Sequence, residues 1–283
     1  MRVLIVTAVP AERDAVVRGI AATAPEVAEL PVPGGVIHRL SPVPPTGRPL
    51  TVDVLAAGVG PAAAAAGTAA ALTAAAVART PYDLAVSAGI GGGFTATPPA
   101  TAAPATTPRT AAAPATTRPG SATTRPGSTT PRLGSVVVAD AIVAADLGAE
   151  TPDGFAAVTD LGFGTVEHLP PAPLVAAVAE ATDAVRGTVL TVSTVTGSAE
   201  RAAELLRRHP HAVAEAMEGF GVAEAAAAQA VPALEVRTVS NAVGPRDRAA
   251  WRIGEAMEAL TSAFATIAPL LGTWTFDPEG TRQ

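Results

Sequence analysis

The chain alternates between short apolar runs and longer segments with helical patterning. Arg2–Ala8 is a continuous apolar run that ends just before Pro10, which is typical of a fully buried parallel strand. Ala11–Ala22 then predicts a helix. The same rhythm predicts strands at Val36–Leu40, Leu50–Ala57 and Asp83–Ser87, with an alanine-rich helix at Pro61–Ala78 and a glycine turn after Ser87.

The second half repeats the order of strand and helix. It predicts a strand in Leu133–Ala145, a loop at Thr151–Phe155, a helix at Pro171–Val185, a strand at Gly187–Val195, helices at Ala199–Arg208 and Met217–Ala230, a strand at Leu234–Ser240 and a last helix from about Ala249 to Leu271. Repeated βαβ units favour an α/β fold whose sheet is mostly parallel and flanked by helices.

Residues 95–131 interrupt this pattern. They contain only Thr, Ala, Pro, Arg, Gly and Ser, and the run T-T-R-P-G-S occurs twice, at 116–121 and 123–128. Such a composition cannot bury enough apolar surface to fold. We therefore expect one domain over 1–283, interrupted by a disordered low-complexity insertion at 95–131.

Composition excludes several kinds of site. Cysteine is absent and all 19 basic residues are arginine, so thiolate chemistry, a Schiff-base lysine and a Walker-type phosphate loop are excluded. The net charge of -6 gives no reason to expect nucleic acid. The uncharged run Pro61–Ala78 is mostly alanine, which favours a buried helix over a membrane span. The start, M-R-V-L-I-V-T-A-V, lacks a signal-peptide pattern and favours a cytoplasmic protein.

Four polar residues are candidates for chemistry. Glu12 stands at a helix start, where an acid is favoured by the exposed N–H groups, but it also follows the first strand and could act as a general base. Glu218 lies between Met217 and Phe220, so its carboxylate needs hydrogen-bond donors such as sugar hydroxyls. Ser240 and Asn241 close a strand, where ligand sites of open sheets lie, although Asn also favours turns.

Other motifs are weaker. Gly58-Val-Gly-Pro-Ala-Ala matches a dinucleotide pattern, but the acid expected at the end of the next strand is missing, so no cofactor is expected. His209 and His211 have no evident third partner, so no metal is expected. Trp251 follows a Gly-Pro-Arg-Asp loop and is either a stacking wall or core packing.

Taken in order, these segments resemble the nucleoside phosphorylase and nucleosidase superfamily over nearly the whole chain except 95–131. The resemblance is carried by M-R-V-L-I-V-T-A-V-P-A-E, A-G-V-G, S-A-G-I-G-G-G-F, A-M-E-G-F and V-S-N. The ending Val239–Arg252 is similar to the V-S-N-x-V-G-P-R-D-R-x-x-W-R ending of the futalosine hydrolases.

This resemblance implies a single α/β domain with a twisted, partly closed sheet, a homo-oligomer, and hydrolysis of futalosine, an inosine-like nucleoside of menaquinone biosynthesis. Water is the implied nucleophile. By resemblance to related nucleosidases, Glu12 would be the base that activates water, and Met217 and Glu218 would bind the ribose. Asn241 would contact the purine, and Phe155 would stack near the base. Ile90 and Gly91 would line the site, and Trp251 would cover the 5′ side.

Asn241 bears on the leaving base, because related methylthioadenosine nucleosidases have Asp there. An amide can donate to a 6-oxo group and accept from a protonated N7, which favours hypoxanthine, with Asp247 as a second possible contact. Three alternatives stay open: a methylthioadenosine-type nucleosidase, a phosphorylase of the same fold, and a nucleoside sensor without catalysis. The glycine turns at 58–60 and 89–93 contain no arginine to hold phosphate.

Overall fold

The computed structural model describes residues 1–21, 26–43, 49–94 and 130–274. Its strands are β1 (Arg2–Thr7), β2 (Val27–Val32), β3 (Gly35–Val43), β4 (Leu50–Ala56), β5 (Leu84–Gly93), β6 (Val136–Ala144), β7 (Gly148–Thr151), β8 (Gly154–Ala157), β9 (Glu167–His168), β10 (Val185–Thr191), β11 (Ala212–Ala216) and β12 (Ala233–Ala242). Its helices are α1 (Pro10–Ala21), α2 (Pro61–Val77), α3 (Ala172–Thr182), α4 (Ala199–Arg208), α5 (Gly219–Ala227) and α6 (Ile253–Thr273), and Arg248–Ala250 forms a 3₁₀ turn.

The apolar run of β1 lies at the centre of one large mixed sheet. It pairs in parallel with β4 and β5. The strand order is β11-β10-β6-β12-β5-β1-β4-β3-β2, with β9 paired to β6. Because β11 also pairs antiparallel with β5, the strands from β5 through β12, β6 and β10 to β11 close into a ring. The predicted α/β fold with a partly closed sheet is confirmed.

The glycine run after Ser87 is strand, not the predicted turn. Gly91–Gly93 stay in β5 and pair with β12 on one side and, at Gly92 and Gly93, with β11 on the other. A Cβ on Gly91 would lie 2.8 Å from the Glu215 carbonyl oxygen, so side chains are excluded where the strands approach. Glycine is therefore needed here to close the ring.

Helices cover both faces of the sheet. On one face α1, α3 and α6 bury apolar side chains such as Ile20, Leu174 and Phe264. On the other, α2 packs closely on α5, and a Cβ on Gly221 would meet the Pro61 carbonyl oxygen. The alanine-rich segment is thus a helix as predicted, with one face buried and Val77 exposed. No helix in the described part of the chain is long and apolar enough to cross a membrane.

Several predicted elements differ from the structure. The strands β2 and β11 and the short β9 were not predicted, and the loop expected at Thr151–Phe155 is the hairpin β7–β8. Helix α5 is shorter than the expected Met217–Ala230, and α6 begins at Ile253 because a 3₁₀ turn precedes it. Residues 95–129 of the expected insertion lie outside the described residues, whereas Pro131 is buried.

Candidate active site

The site is a cavity of about 390 Å³ at the carboxyl ends of β1, β5 and β12. Eight of the residues singled out from the sequence line it: Glu12, Ile90, Gly91, Met217, Glu218, Ser240, Asn241 and Trp251. Four segments of the chain therefore converge on one space that can hold a small ligand.

Glu12 is held rigidly in the first turn of α1. Its side chain is 4 % exposed, and one carboxylate oxygen, Oε2, accepts the backbone N–H of Ala8 at 3.0 Å and of Val9 at 3.3 Å. The other, Oε1, accepts the N–H of Ile90 at 2.9 Å. Burial raises the pKa of Glu12, and the nearby Arg237 guanidinium and the N–H donors oppose that shift. The result is a fixed carboxyl group that is more basic than a solvent-exposed glutamate.

Glu218 approaches the same space from the start of α5. It is 5 % exposed, Oε1 accepts the backbone N–H of Gly60 at 3.2 Å, and Oε2 accepts from Arg237 Nη1 at 3.2 Å. Gly60 has φ of 96°, a backbone conformation that side chains rarely adopt, so glycine allows its N–H to point at the carboxylate. The A-G-V-G turn thus helps to position Glu218.

Arg237, which sequence reasoning missed, joins the acids beneath the cavity. Its guanidinium is fully buried and donates to Glu235 Oε1 at 2.9 Å, to Ser87 Oγ at 2.8 Å and to Glu218. Burial alone would lower the pKa of Arg237, but the carboxylates of Glu235, Glu218 and Glu12 more than offset this and raise it. The guanidinium therefore stays charged. One signal existed in the sequence: charged residues at alternate positions of an apolar strand lie on one face.

Glu235 makes this cluster strongly acidic. It is fully buried, one of its oxygens, Oε2, has no hydrogen-bond partner, and burial raises the pKa of its carboxyl group against the effect of Arg237. A Cβ on Gly219 would lie 2.1 Å from Oε2, so glycine at the start of α5 makes room for this side chain. Two carboxylates, those of Glu235 and Glu218, therefore bond to one guanidinium, and the carboxyl group of Glu12 lies close to it.

Gly89 brings Glu12 and Arg237 together. A Cβ at this position would lie 2.5 Å from Glu12 Oε1 and 2.8 Å from Arg237 Nη1, so both polar groups occupy the space that a side chain would fill. The glycines of S-A-G-I-G-G-G-F thus serve two purposes, close strand packing and access of charged groups to one point.

Ser240 and Asn241 lie at the end of β12 as predicted. The Ser240 hydroxyl lies 2.8 Å from Asn241 Oδ1 and 3.2 Å from the Gly91 carbonyl oxygen. Asn241 Nδ2 donates to the Ala242 carbonyl oxygen at 2.9 Å, which leaves its second N–H for a ligand.

The structure places Phe155 away from this cavity. Its ring lies under the Arg208 guanidinium, 4.3 Å from ring centre to Cζ, and beside Gly148 of the same hairpin. The expectation that it would stack near the base is not supported by this position. The reason is that P-D-G is the turn of β7–β8, which packs against the end of α4 rather than over the sheet edge.

Further lining residues were not predicted: Val9, Val59, Val195, Thr196 and Glu215. Glu215 accepts from the Thr196 N–H at 2.8 Å and from its hydroxyl, which fixes the 195–197 loop as one wall. Burial raises the pKa of Glu215, and the Thr196 donors oppose the shift. Within the described residues, no group of three His, Asp or Glu could hold a metal ion.

Comparisons with known proteins agree on the family of sequences and on the fold. The sequence model of the phosphorylase superfamily matches residues 127–271. A futalosine hydrolase of Streptomyces coelicolor is 59 % identical over 274 residues, covering 97 % of this chain and 98 % of the relative. A futalosine hydrolase of Acidothermus cellulolyticus is 39 % identical over 285 residues, covering 98 % and 93 %.

Solved structures share the architecture at low identity. A 5′-methylthioadenosine/S-adenosylhomocysteine nucleosidase of Colwellia psychrerythraea, in complex with adenine, superposes with a TM-score of 0.70 at 19 % identity and covers 98 % of each chain. The native futalosine hydrolase of Helicobacter pylori superposes with a TM-score of 0.68 at 14 % identity, covering 95 % of this chain and 98 % of that one. At such identities the likeness concerns the fold.

Proposed function

Because the chain belongs to the phosphorylase superfamily and, within it, to the futalosine hydrolase family, we propose that it cleaves the N-glycosidic bond of futalosine with water. The products are hypoxanthine and dehypoxanthine futalosine, which places the reaction in menaquinone biosynthesis. The chain is then an N-glycosyl hydrolase with a purine nucleoside as substrate.

The observation that carries this proposal is the meeting of Glu12 and Glu218 in one cavity. A carboxylate offers roughly four acceptor positions. Glu218 uses one for Gly60 and one for Arg237, which leaves about two, enough for the two vicinal hydroxyls of a ribose. Its negative charge also favours the oxocarbenium-like cation that forms as the bond breaks.

Glu12 is suited to activate the water. Three backbone N–H groups take three of its roughly four acceptor positions, so one remains for a water molecule. The water oxygen forms a bond to C1′ and gives one proton to Glu12, while the C1′–N9 bond breaks and its electron pair goes to the purine. The purine then takes up a proton from solvent to become hypoxanthine, and Glu12 returns its proton to solvent. A raised pKa makes Glu12 a stronger base, and such help accounts for about 10²–10⁴ in rate.

Asn241 receives the leaving purine. Ser240 fixes the amide through Oδ1, and the free Nδ2–H can donate to the 6-oxo group of hypoxanthine, which stabilises the charge that the base gains. Asn241→Asp should shift the ratio of kcat/KM values toward adenosine-like substrates over inosine-like ones. An unchanged ratio would favour Asp247 or another group as the contact and would leave the base preference unexplained.

A phosphorylase is the less favoured reading. Arg237 does approach the glycine run, near Gly89, but three of its five N–H donors are taken by Glu235, Ser87 and Glu218. With Glu12 beside it, this buried guanidinium lies in an acidic environment that repels a phosphate dianion.

The function is tested by incubating purified protein with futalosine, aminofutalosine, inosine and methylthioadenosine, with and without phosphate. We expect hypoxanthine from futalosine at a rate that phosphate does not change, and a loss of about 10²–10⁴-fold in Glu12→Gln. Glu258→Gln, an exposed acid of α6, is the matched control and should keep full activity. Phosphate-dependent turnover would favour the phosphorylase, adenine release the methylthioadenosine-type enzyme, and binding without cleavage the sensor.

We also propose a homo-oligomer and a cytoplasmic location. Leu147, Leu161, Phe163 and Leu169, all within the segment 147–169, are exposed by 42 to 72 %. Exposed apolar side chains grouped in one segment are typical of an interface.

A further inference from the structure

Arg246 is a cation in the lining of the cavity. Among the described residues that line the cavity, it alone carries a positive charge, against the acids Glu12, Glu215 and Glu218. Its guanidinium contacts the Trp251 ring, 5.5 Å from Cζ to ring centre, and has no hydrogen-bond or ion-pair partner among the described residues. A free arginine on a cavity wall is available to an anionic group of a ligand.

The contacts of Arg246 differ from those of the acid Glu12. The side chain reaches across to the 195–197 loop, where a Cβ on Gly197 would lie 3.8 Å from its Cγ and Cδ. Glu12, in contrast, is anchored to the N–H groups of Ala8, Val9 and Ile90. The cavity thus combines the acids Glu12, Glu215 and Glu218 with one guanidinium that contacts an aromatic ring.

Futalosine matches this division of charge, since its ribose carries a 5′ chain that ends in a keto-benzoate. We propose that Arg246 binds the benzoate carboxylate of the substrate and that Trp251 packs against the aryl ring. This inference rests on the proposed function and adds the residue that distinguishes futalosine from nucleosides without the acid.

The chemistry favours Arg246 over its neighbours. A guanidinium can bind a carboxylate through two parallel hydrogen bonds, and the indole face is a stacking surface for an aryl ring. Arg248 also lies near Trp251, at 6.0 Å, but does not line the cavity. Arg252 is engaged with the carbonyl oxygens of Ala249 and Trp251.

The test compares futalosine with its methyl ester, which keeps the base, the sugar and the aryl ring but removes the negative charge. The wild-type protein should prefer the acid over the ester by about 10- to 100-fold in kcat/KM, the range for a hydrogen bond to a charged group. Arg246→Gln should lose this preference because its kcat/KM for futalosine falls while its kcat/KM for the ester is unchanged. Arg246→Lys should keep part of the preference. Arg248→Gln is the matched control and should behave as the wild type.

Three results would overturn the inference: no preference for the acid in the wild type, an equal loss on both substrates in Arg246→Gln, or a lost preference in Arg248→Gln. If the wild type releases no hypoxanthine from futalosine, the proposed function fails. In that case the Kd values of uncleaved futalosine and its ester, for wild type and Arg246→Gln, decide the role of Arg246 separately.

Discussion

Adding one methyl group at Gly89 should disable the site while leaving the fold in place. The alanine Cβ would lie 2.5 Å from Glu12 Oε1, 2.9 Å from Glu12 Cδ and 2.8 Å from Arg237 Nη1. Glu12 cannot turn aside freely because three backbone N–H groups hold it, and Arg237 is fully buried among its partners. One of the two charged groups must therefore move.

The size of the effect follows from that displacement. Ordinary contacts to a Cβ begin at 3.4 Å, so the carboxylate would have to retreat by about 1 Å, and such a misplacement can cost about 100-fold in rate. Overpacking of a well-filled interior also destabilises, typically by about 1–3 kcal/mol. We expect Gly89→Ala to fold, to melt at a lower temperature and to lose most of its kcat/KM.

The assay is hypoxanthine release from futalosine together with thermal unfolding. Gly254→Ala is the matched control, since a Cβ there meets nothing within 4 Å and the position is exposed in α6. It should keep full activity and gain up to about 1 kcal/mol of helix stability. A Gly89→Ala variant within threefold of wild-type kcat/KM would refute the claim that Glu12 and Arg237 must meet at this point.

Further predictions concern pH, packing and the hairpin. Burial raises the pKa of Glu12, and its ionised form is the base. We therefore expect kcat/KM to fall as the pH drops through a pKa above that of an ordinary glutamate. A fall of kcat/KM with a pKa at or below that of an ordinary glutamate would contradict this. Gly219→Ala should lower the free energy of unfolding by about 1–3 kcal/mol, because the added Cβ meets the Glu235 carboxylate. The same substitution should cost less stability in a Glu235→Ala background. If the two losses of stability simply add in the double variant, the two residues do not clash. Phe155→Ala should leave kcat/KM within about threefold of wild type, since the ring packs on Arg208 outside the cavity, and a selective rise in KM would restore Phe155 to the site.

The fold was largely predictable because its central strands have recognisable sequence patterns. The apolar run Arg2–Ala8 matches β1 closely, and the strand predicted at Leu234–Ser240 lies within β12. The strand Ala212–Ala216 was missed because A-V-A-E-A has helical composition, and only pairing with β10 and β5 makes it extended. Tertiary contacts override local propensity there.

The site was predictable where residue type and position agree, and not where orientation decides. Glu12 and Glu218 follow turns that open helices at the sheet edge, so their convergence could be expected. Arg237 was overlooked within an apolar strand, although Glu235 two residues earlier marks the same face. The structure places Phe155 outside the cavity, contrary to expectation, because no local sequence pattern determines how a hairpin packs against the rest of the molecule.

The central claim is that two acids from distant parts of the chain hold one ribose and its attacking water. A crystal structure of the Glu12→Gln variant with uncleaved futalosine tests it directly. The account predicts both ribose hydroxyls within hydrogen-bond distance of Glu218 and a water between residue 12 and C1′. A ribose bound beyond the reach of Glu218, or a residue 12 facing away from C1′, would contradict it.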